Sequence, residues 1–117
     1  MSTLDDLLSL RELLTPHGNW ITGGYAQNSR GLPVPSTDPT ACKWCLVGGI
    51  NKVTNNRSDL VFNSLAWNLY RALMRARRDD HRYESLEAWN DRNVLKAAVL
   101  SLIDDAIAIE MERIEHD

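Results

Sequence analysis

The chain has 117 residues, of which 44% are apolar and 25% are charged, and 13 basic against 16 acidic side chains leave a formal net charge of -3. This is the composition of a soluble single domain. A chain of this size can bury one apolar core without disulfides or metal, and it is too short for a second independent domain. It contains no run of 18 apolar residues and no secretory signal at its N-terminus, so the sequence predicts a cytoplasmic protein without a membrane span.

The first predicted element is an amphipathic helix over residues 3–15. Its leucines recur at spacings of three and four, which places them along one face of a helix. These leucines are Leu4, Leu7, Leu8, Leu10, Leu13 and Leu14. Ser2 or Thr3 is placed to cap this helix, and Pro16 and Gly18 end it.

A small β-hairpin is predicted over residues 20–35, where glycine, asparagine and proline interrupt the helical spacing. We expect its strands at about residues 21–27 and 32–34, joined by the polar turn from Asn28 to Gly31. The prolines that flank the second strand place it at an edge, because proline has no N–H group to donate to a sheet.

A second helix is predicted over residues 38–53, with Asp38 as its cap and Pro39 at its first position. Its apolar face is Ala41, Cys42, Cys45, Leu46, Gly49, Ile50 and Val53. Gly48 and Gly49 each lower helix propensity by about 1 kcal/mol. We therefore expect another part of the backbone to approach the helix closely at this pair.

The rest of the chain is predicted to form a helix over residues 58–78, one helical turn over 85–89 and a final helix over 92–115. The inward residues of the first of these are Leu60, Val61, Leu65, Leu69, Ala72, Leu73 and Ala76. Asn90 and Asp91 are placed to cap the final helix. The sequence thus predicts a mainly α fold, a four-helix single domain with a small β-hairpin between helices 1 and 2.

Short motifs follow one another in a fixed order from Trp20 to Asp91. They are Trp20, Gly23, Tyr25-Ala26, Gly31-Leu32-Pro33-Val34, Asp38-Pro39-Thr40-Ala41, Trp44-Cys45-Leu46-Val47-Gly48 and Trp89-Asn90-Asp91. Their order and spacing resemble a family of small bacterial and phage proteins known only as a domain of unknown function. The resemblance covers roughly residues 20–107. It implies a phage or prophage origin, and it implies no activity, cofactor or catalytic residue.

Two cysteines three residues apart, Cys42 and Cys45, leave three interpretations open. Free cysteine is often buried, which favours a packing role for Cys45. With His17 the pair offers weak candidate ligands for zinc, although a zinc site needs a fourth ligand. A redox pair or a thiol nucleophile at Cys45 is the third interpretation, but a hairpin precedes the motif where redox proteins have a parallel sheet. We predict no cofactor.

The four tryptophans are predicted to have two different roles. Trp20, Trp44 and Trp89 lie beside turns or caps, and we expect them in the core. Trp67 shares a second helix face with Tyr70 and Met74, at spacings of three and four. That face is a candidate partner surface.

Charge is segregated along the chain. From residue 43 to residue 82 there are eight basic and three acidic side chains, a net charge of +5, and from 104 to 117 there are six acidic and one basic, a net charge of -5. The basic segment contains a stripe at spacings of four, three and four, namely Arg71, Arg75, Arg78 and Arg82. The stripe is either a nucleic-acid surface or a solvated face that the acidic last helix partly neutralises.

These patterns favour a small non-enzymatic protein-interaction module, an accessory or inhibitor protein whose partner is another protein. Spare apolar residues on the last helix also predict a homo-oligomer: Ala108, Ile109, Met111 and Ile114. One alternative is a nucleic-acid-binding or metal-dependent regulator that uses the arginine stripe. A second alternative is a thiol enzyme that uses Cys45.

Overall fold

The structure is a computed structural model that describes residues 2–55, 57–76, 85–92 and 95–116. Within these residues the chain forms five helices and two strands. In chain order they are α1 (Thr3–Leu14), β1 (Ala26–Gln27), β2 (Lys43–Trp44), α2 (Leu46–Val53), α3 (Asp59–Ala76), α4 (Leu86–Asp91) and α5 (Lys96–Glu115). The predicted mainly helical fold with a small antiparallel β element between the first two helices is confirmed. The helix count differs because the turn predicted at 85–89 is a helix of six residues.

α1 begins at the cap that the sequence predicts. The Ser2 hydroxyl accepts a hydrogen bond from the amide of Asp5, and the Asp5 carboxylate accepts one from the amide of Ser2. The bond that the Asp5 carboxylate accepts from the Ser2 amide, together with a smaller contribution from the Ser2 side chain, holds the pKa of this carboxyl below its usual value. The leucine stripe packs against α2 and α5, and its fully buried members are Leu7, Leu10 and Leu14. Leu8 is 48% exposed, so its predicted place in the stripe is wrong.

The strand pairing differs from the predicted hairpin. β1 pairs antiparallel with β2, so that Ala26 lies opposite Trp44. The predicted partner segment, residues 32–34, meets β1 through an isolated bridge between Gln27 and Pro33. Because proline lacks an N–H donor, this segment cannot extend a regular ladder.

The helix predicted over 38–53 is wrong in its first half, since α2 begins only at Leu46. Asp38 does not start a long helix. Its Oδ1 accepts hydrogen bonds from the amide of Thr40 at 2.8 Å and from the Thr40 hydroxyl at 2.6 Å, which closes a single turn. The chain then enters β2, and Cys45 takes the N-cap position of the helix.

The close approach predicted at the glycine pair is confirmed. A Cβ atom added at Gly48 would overlap the backbone carbonyl of Tyr25, and one added at Gly49 would lie 2.7 Å from Cδ1 of Leu10. Glycine is therefore what lets α2 pack directly on the chain before β1 and on α1.

The inward face of α3 is confirmed in its middle and is wrong at its start, and the predicted inward side chain of Ala76 lies outside what the structure describes. Leu65, Leu69, Ala72 and Leu73 are buried, whereas Leu60 is 76% exposed. Leu60 precedes Leu65 by five residues, which places it about 140° around the helix from that side chain. The prediction that Leu60 points inward is therefore wrong.

Asn90 caps α2, and the prediction that it caps α5 is wrong. It is fully buried, and its Oδ1 accepts hydrogen bonds from Trp20 Nε1 at 2.7 Å and from the amide of Leu46 at 3.1 Å. Its Nδ2 donates to the carbonyl of Ile21 and to Oδ1 of Asp91, both at 3.1 Å. The two donors and two lone pairs of the amide are thus all used.

The position that precedes α5 is Leu95, which makes no side-chain capping bond. α5 therefore begins at Lys96, later than the predicted residue 92. The buried face of α5 is Val99, Leu102, Ile103 and Ala106. In the described part of the chain, no helix is both long enough and apolar enough to cross a membrane.

A buried ion pair joins the start of the chain to the loop before α3. Asp6 is 4% exposed, and its carboxylate receives two hydrogen bonds from the Arg57 guanidinium, at 2.7 and 3.2 Å. Arg57 also donates to the carbonyl of Val53 at 2.7 Å. The last turn of α2 is therefore attached to α1 by charge as well as by packing.

Candidate functional site

The residues predicted on α3 as a candidate partner surface lie together around Trp67. We call it the α3 face, and its described members are Trp67, Tyr70, Arg71, Met74 and Arg75. Trp67 is 57% exposed in the middle of an 18-residue helix. Arg71 and Arg75 are also exposed, whereas Tyr70 and Met74 are half-buried.

The Trp67 ring is supported from two sides. It stacks on Tyr70 with ring centroids 5.9 Å apart and an angle of 21° between the ring planes. The guanidinium carbon of Arg71 lies 5.9 Å from the centre of the Trp67 ring, within cation–π range. Because Tyr70 packs against the core, the exposed indole is held by a side chain that is itself anchored.

A shallow depression of about 260 Å³ borders Trp67 where α3, α5 and the start of α1 meet. The other residues that line it are Thr3, Ser64, Asn68, Arg71, Glu110 and Arg113. Glu110 is only 3% exposed and pairs with the guanidinium of Arg113 one turn along α5. The depression therefore has an aromatic rim and a polar floor.

Only part of the predicted arginine stripe lies within the described residues. Arg71 and Arg75 are on the exposed side of α3, and Arg78 and Arg82 fall outside the described ranges. Arg75 and Asp105 of α5 line one shallow groove between their two helices.

The acidic last helix is partly paired elsewhere. Asp104 accepts a hydrogen bond from Arg11 of α1 at 2.9 Å. Asp104 therefore faces α1, while Asp105 lies in the groove beside α3. The buried Glu110 is paired within α5 itself.

The spare apolar surface predicted on α5 is partly present. Met111 and Ile114 are 48% and 45% exposed, and Ala108 is exposed as well. Ile109 is different, because it is half-buried and packs against the core.

The structure favours a packing role for Cys45. Its side chain is 3% exposed, and its sulfur accepts a hydrogen bond from the amide of Gly48 at 3.3 Å. Burial raises the pKa of the thiol, with smaller contributions from the charges of Asp91 and Glu87, while the Gly48 amide opposes the shift. A reactive thiolate needs the opposite environment, one that lowers the pKa.

The weak zinc candidates are not brought together as a ligand set. Cys42 is half-buried, and His17 is exposed in the turn after α1. Among the described residues, no group of three or more histidine, cysteine, aspartate or glutamate side chains is placed to hold a metal ion.

The core role predicted for three tryptophans is confirmed. Trp44 and Trp89 are 5% and 7% exposed, and Trp20 is half-buried against the core. Trp44 Nε1 donates to the carbonyl of Ser36 at 2.9 Å. Each of the two indoles of Trp20 and Trp44 thus has a partner for its N–H group.

One cavity in the described structure was not predicted. It is a cleft of about 700 Å³ between residues 23–27 and residues 33–37, and Asn51 of α2 also lines it. A smaller cavity of about 200 Å³ touches the same Gly23–Tyr25 segment and is lined also by Cys45, Glu87 and Asp91. The available sequence signals were glycine and proline residues, which indicate turns and say nothing about the gap between two segments.

A sequence model of the family of unknown function DUF6197 matches residues 1–109. The chain therefore belongs to this family, and the match extends the resemblance to include α1. Comparison with curated proteins and with solved structures found no significant match.

Proposed function

Because the chain belongs to a family whose function is unknown, we propose a function from geometry: the chain is a small non-enzymatic interaction module that binds a partner protein through the α3 face. The observation that carries this proposal is the exposure of Trp67, 57% of whose surface is open to solvent. A tryptophan exposed in this way in the middle of a helix gains from burial against a partner, by about 25 cal/mol for each Å² of apolar surface removed from water.

The composition of the α3 face supports the same function. Tryptophan, tyrosine and arginine are the residue types that most often dominate the energy of protein interfaces. Here Trp67 is already stacked on Tyr70 and covered on one side by Arg71. A side chain held in place before binding loses less conformational entropy when a partner arrives.

The charges on the face indicate what the partner should present. Arg71 and Arg75 are exposed about one and two helical turns after Trp67. They favour carboxylates around an apolar side chain that covers the indole. We therefore propose a partner surface that is apolar at its centre and acidic at its rim. We propose that the two proteins meet in the cytoplasm.

The proposal is tested by affinity capture from the native host cell with a matched pair of variants. Trp67→Ala removes the exposed ring, and Leu32→Ala removes a side chain that is 55% exposed in a different part of the fold. Circular dichroism checks that both variants are folded.

A protein captured by the wild type and by Leu32→Ala, and lost with Trp67→Ala, supports the α3 face. Capture of the same protein by Trp67→Ala at the wild-type level contradicts it. Arg71→Ala should weaken the capture less than Trp67→Ala, because a charge at an interface rim contributes less than a buried aromatic anchor.

A second candidate function is nucleic-acid binding, favoured by the stacked aromatic pair beside Arg71. Exposed aromatic rings next to arginine are also how proteins bind single strands. A mobility shift of labelled single-stranded DNA or RNA at low salt, weakening steeply as salt rises, would favour this candidate over a protein partner. If this regulator depends on a metal ion, a chelator should also abolish the mobility shift.

We also propose that two chains associate through the end of α5, where Met111 and Ile114 are exposed. Analytical ultracentrifugation at micromolar concentration should show a dimer that Met111→Lys converts to a monomer. A monomeric wild type under the same conditions would exclude self-association there, without bearing on the α3 face.

A further inference from the structure

The cleft between residues 23–27 and 33–37 has the dimensions of a ligand site. Its volume of about 700 Å³ lies within the range of sites that bind small molecules. It shares no residue with the α3 face, so its occupant is independent of the partner proposed above.

Hydrogen bonds fix both walls of the cleft. At its inner end the amide of Val34 donates to the carbonyl of Ala26 at 3.2 Å, which joins the two walls. One wall is held further by the bond from the amide of Gly23 to Asp91, at 2.9 Å, and the other by the bond from Trp44 to Ser36. The cleft is therefore shaped before any ligand enters, which reduces the entropic cost of binding.

The lining of the cleft is uncharged throughout. Residues 23–27, residues 33–37 and Asn51 include no aspartate, glutamate, lysine, arginine or histidine. A phosphate, a carboxylate or an ammonium group placed here would lose hydration without gaining an opposite charge. The ligand that fits is neutral.

The groups that can recognise a neutral ligand are two amides and an aromatic ring. Within the described residues, the side-chain amides of Gln27 and Asn51 have no hydrogen-bond partner. Each amide offers donors and an acceptor side by side. Tyr25, which is 52% exposed, brings an aromatic side chain to the lining, and Pro33 and Pro35 add apolar surface on the opposite wall.

From this lining we propose that the cleft binds an uncharged flat heterocycle that carries an amide-type edge, the chemistry of a nucleobase such as uracil or hypoxanthine. The ring packs between Tyr25 and the prolines, and its N–H and C=O groups pair with the side-chain amides of both Gln27 and Asn51. Amide side chains pair with nucleobase edges in this bidentate manner in known complexes. The base can belong to a free nucleoside or to a nucleic acid.

The test is a titration of the whole protein followed by two-dimensional amide NMR, with uridine and inosine as probes. Uridine 5′-monophosphate tests the exclusion of charge, and phenol tests whether a ring without the amide edge is enough. We expect uridine or inosine to shift the signals of Tyr25, Gln27 and Asn51, and phenol to leave them unchanged.

Variants connect the signal to the proposed contacts. Gln27→Leu and Asn51→Ala should each weaken the affinity by about threefold to tenfold, the equivalent of one hydrogen bond. Asn63→Ala, which removes an exposed amide from α3, should leave the affinity unchanged. Because Asn51 is exposed, its replacement keeps the test decisive even if Gln27→Leu impairs folding.

The outcomes divide as follows. Binding of a free nucleoside supports a small-molecule ligand, and binding confined to an oligouridine but weakened by Asn51→Ala supports the same chemistry on a nucleic acid. Equal shifts with phenol, tighter binding of the monophosphate, or no shift with any probe at millimolar concentration would overturn the proposal. None of these results bears on capture through Trp67.

Discussion

Trp20 and Asn90 are 70 positions apart in the chain, and the indole nitrogen of the first donates to the side-chain oxygen of the second at 2.7 Å. The same oxygen accepts from the first amide of α2, so one side chain joins the segment before β1, the start of α2 and α4. The cleft depends on this junction, because the neighbouring Asp91 holds Gly23 at the beginning of one cleft wall.

We predict that Asn90→Ala destabilises the fold by about 3 kcal/mol. The substitution leaves the Trp20 indole and the Leu46 amide without their acceptor, and a buried polar group without a partner costs about 1–3 kcal/mol. The hydrogen bond lost in Trp20→Phe should destabilise the fold less than Asn90→Ala does, because the Leu46 amide keeps its acceptor. Urea unfolding measures both effects, and a loss below about 0.5 kcal/mol for Asn90→Ala would contradict the junction.

The two adjacent glycines of α2 should respond differently to alanine. Gly48→Ala places a methyl group against the backbone carbonyl of Tyr25, which cannot move without disturbing the pairing of β1. We expect a loss above about 3 kcal/mol.

Gly49→Ala comes too close only to the end of the Leu10 side chain, which can shift, and makes ordinary contacts with Leu14. It also gains about 1 kcal/mol of helix propensity. Urea unfolding of Gly48→Ala and Gly49→Ala measures this contrast as the difference between their unfolding midpoints. Equal stability of the two variants would show that α2 does not approach the Tyr25 carbonyl as described.

The ion pair of Asp6 and Arg57 should matter more than that of Asp104 and Arg11. The Asp6 side chain is 6% exposed and the Asp104 side chain is 55% exposed. Asp6→Ala leaves the Arg57 guanidinium half-buried without its carboxylate, and we expect a loss of about 2 kcal/mol.

Asp104→Ala serves as the matched control and should cost less than about 1 kcal/mol, because an exposed pair is screened by water and salt. Thermal unfolding at low and high salt checks the contrast. A larger effect for Asp104→Ala than for Asp6→Ala would reverse the assignment.

The thiol of Cys45 should resist alkylation in the folded protein. Burial raises its pKa, so the reactive thiolate forms at a higher pH than in the unfolded chain. Iodoacetamide at about pH 8 should label Cys42 first and Cys45 only after urea is added, as mass spectrometry of peptides can show. Rapid labelling of Cys45 in the native state would revive the thiol-enzyme interpretation.

The raised pKa of Cys45 also determines whether its contribution to stability rises or falls with pH. A raised pKa in the folded state favours the protonated thiol, so Cys45 contributes stability that is present below the unfolded value, 9.0, and is lost as the pH rises through the folded value. Replacing Cys45 with alanine should therefore reduce the alkaline loss of stability relative to the wild type.

Local spacing was enough to predict the helices, and it failed where distant residues compete for the same groups. The leucine period of α1 and the inward face of α3 need only a helix and a core, and both were confirmed apart from the exposed Leu8 and Leu60. Asp38 and Pro39 have the residue types of a helix start, but the chain beyond them bonds to β1 and does not form a helix. The carbonyl of Gln27 in β1 accepts a hydrogen bond from the amide of Cys42 at 2.9 Å. A bond of that kind depends on tertiary structure and leaves no mark in the local sequence.

The candidate sites divide in the same way. Exposure of Trp67 follows from helix geometry, since it lies opposite the buried residues Leu65 and Leu69. The residue type of Asn90 predicted that it caps a helix. Its side-chain oxygen does accept a hydrogen bond from a helix amide, but the helix is α2 and not α5. The cleft was out of reach, because it is the space between two segments whose separation is set by bonds to Asp91 and Trp44.

The position of Asn90 has a consequence for how the chain is made. A ribosome releases α1, both strands, α2 and α3 before residue 90 emerges, and until then the Trp20 indole and the start of α2 lack their acceptor. The partner of Arg11, Asp104, emerges later still. The nascent chain therefore completes this set of contacts only after α5 has emerged, and a fragment that stops after α3 should remain incompletely folded and be degraded by cellular proteases.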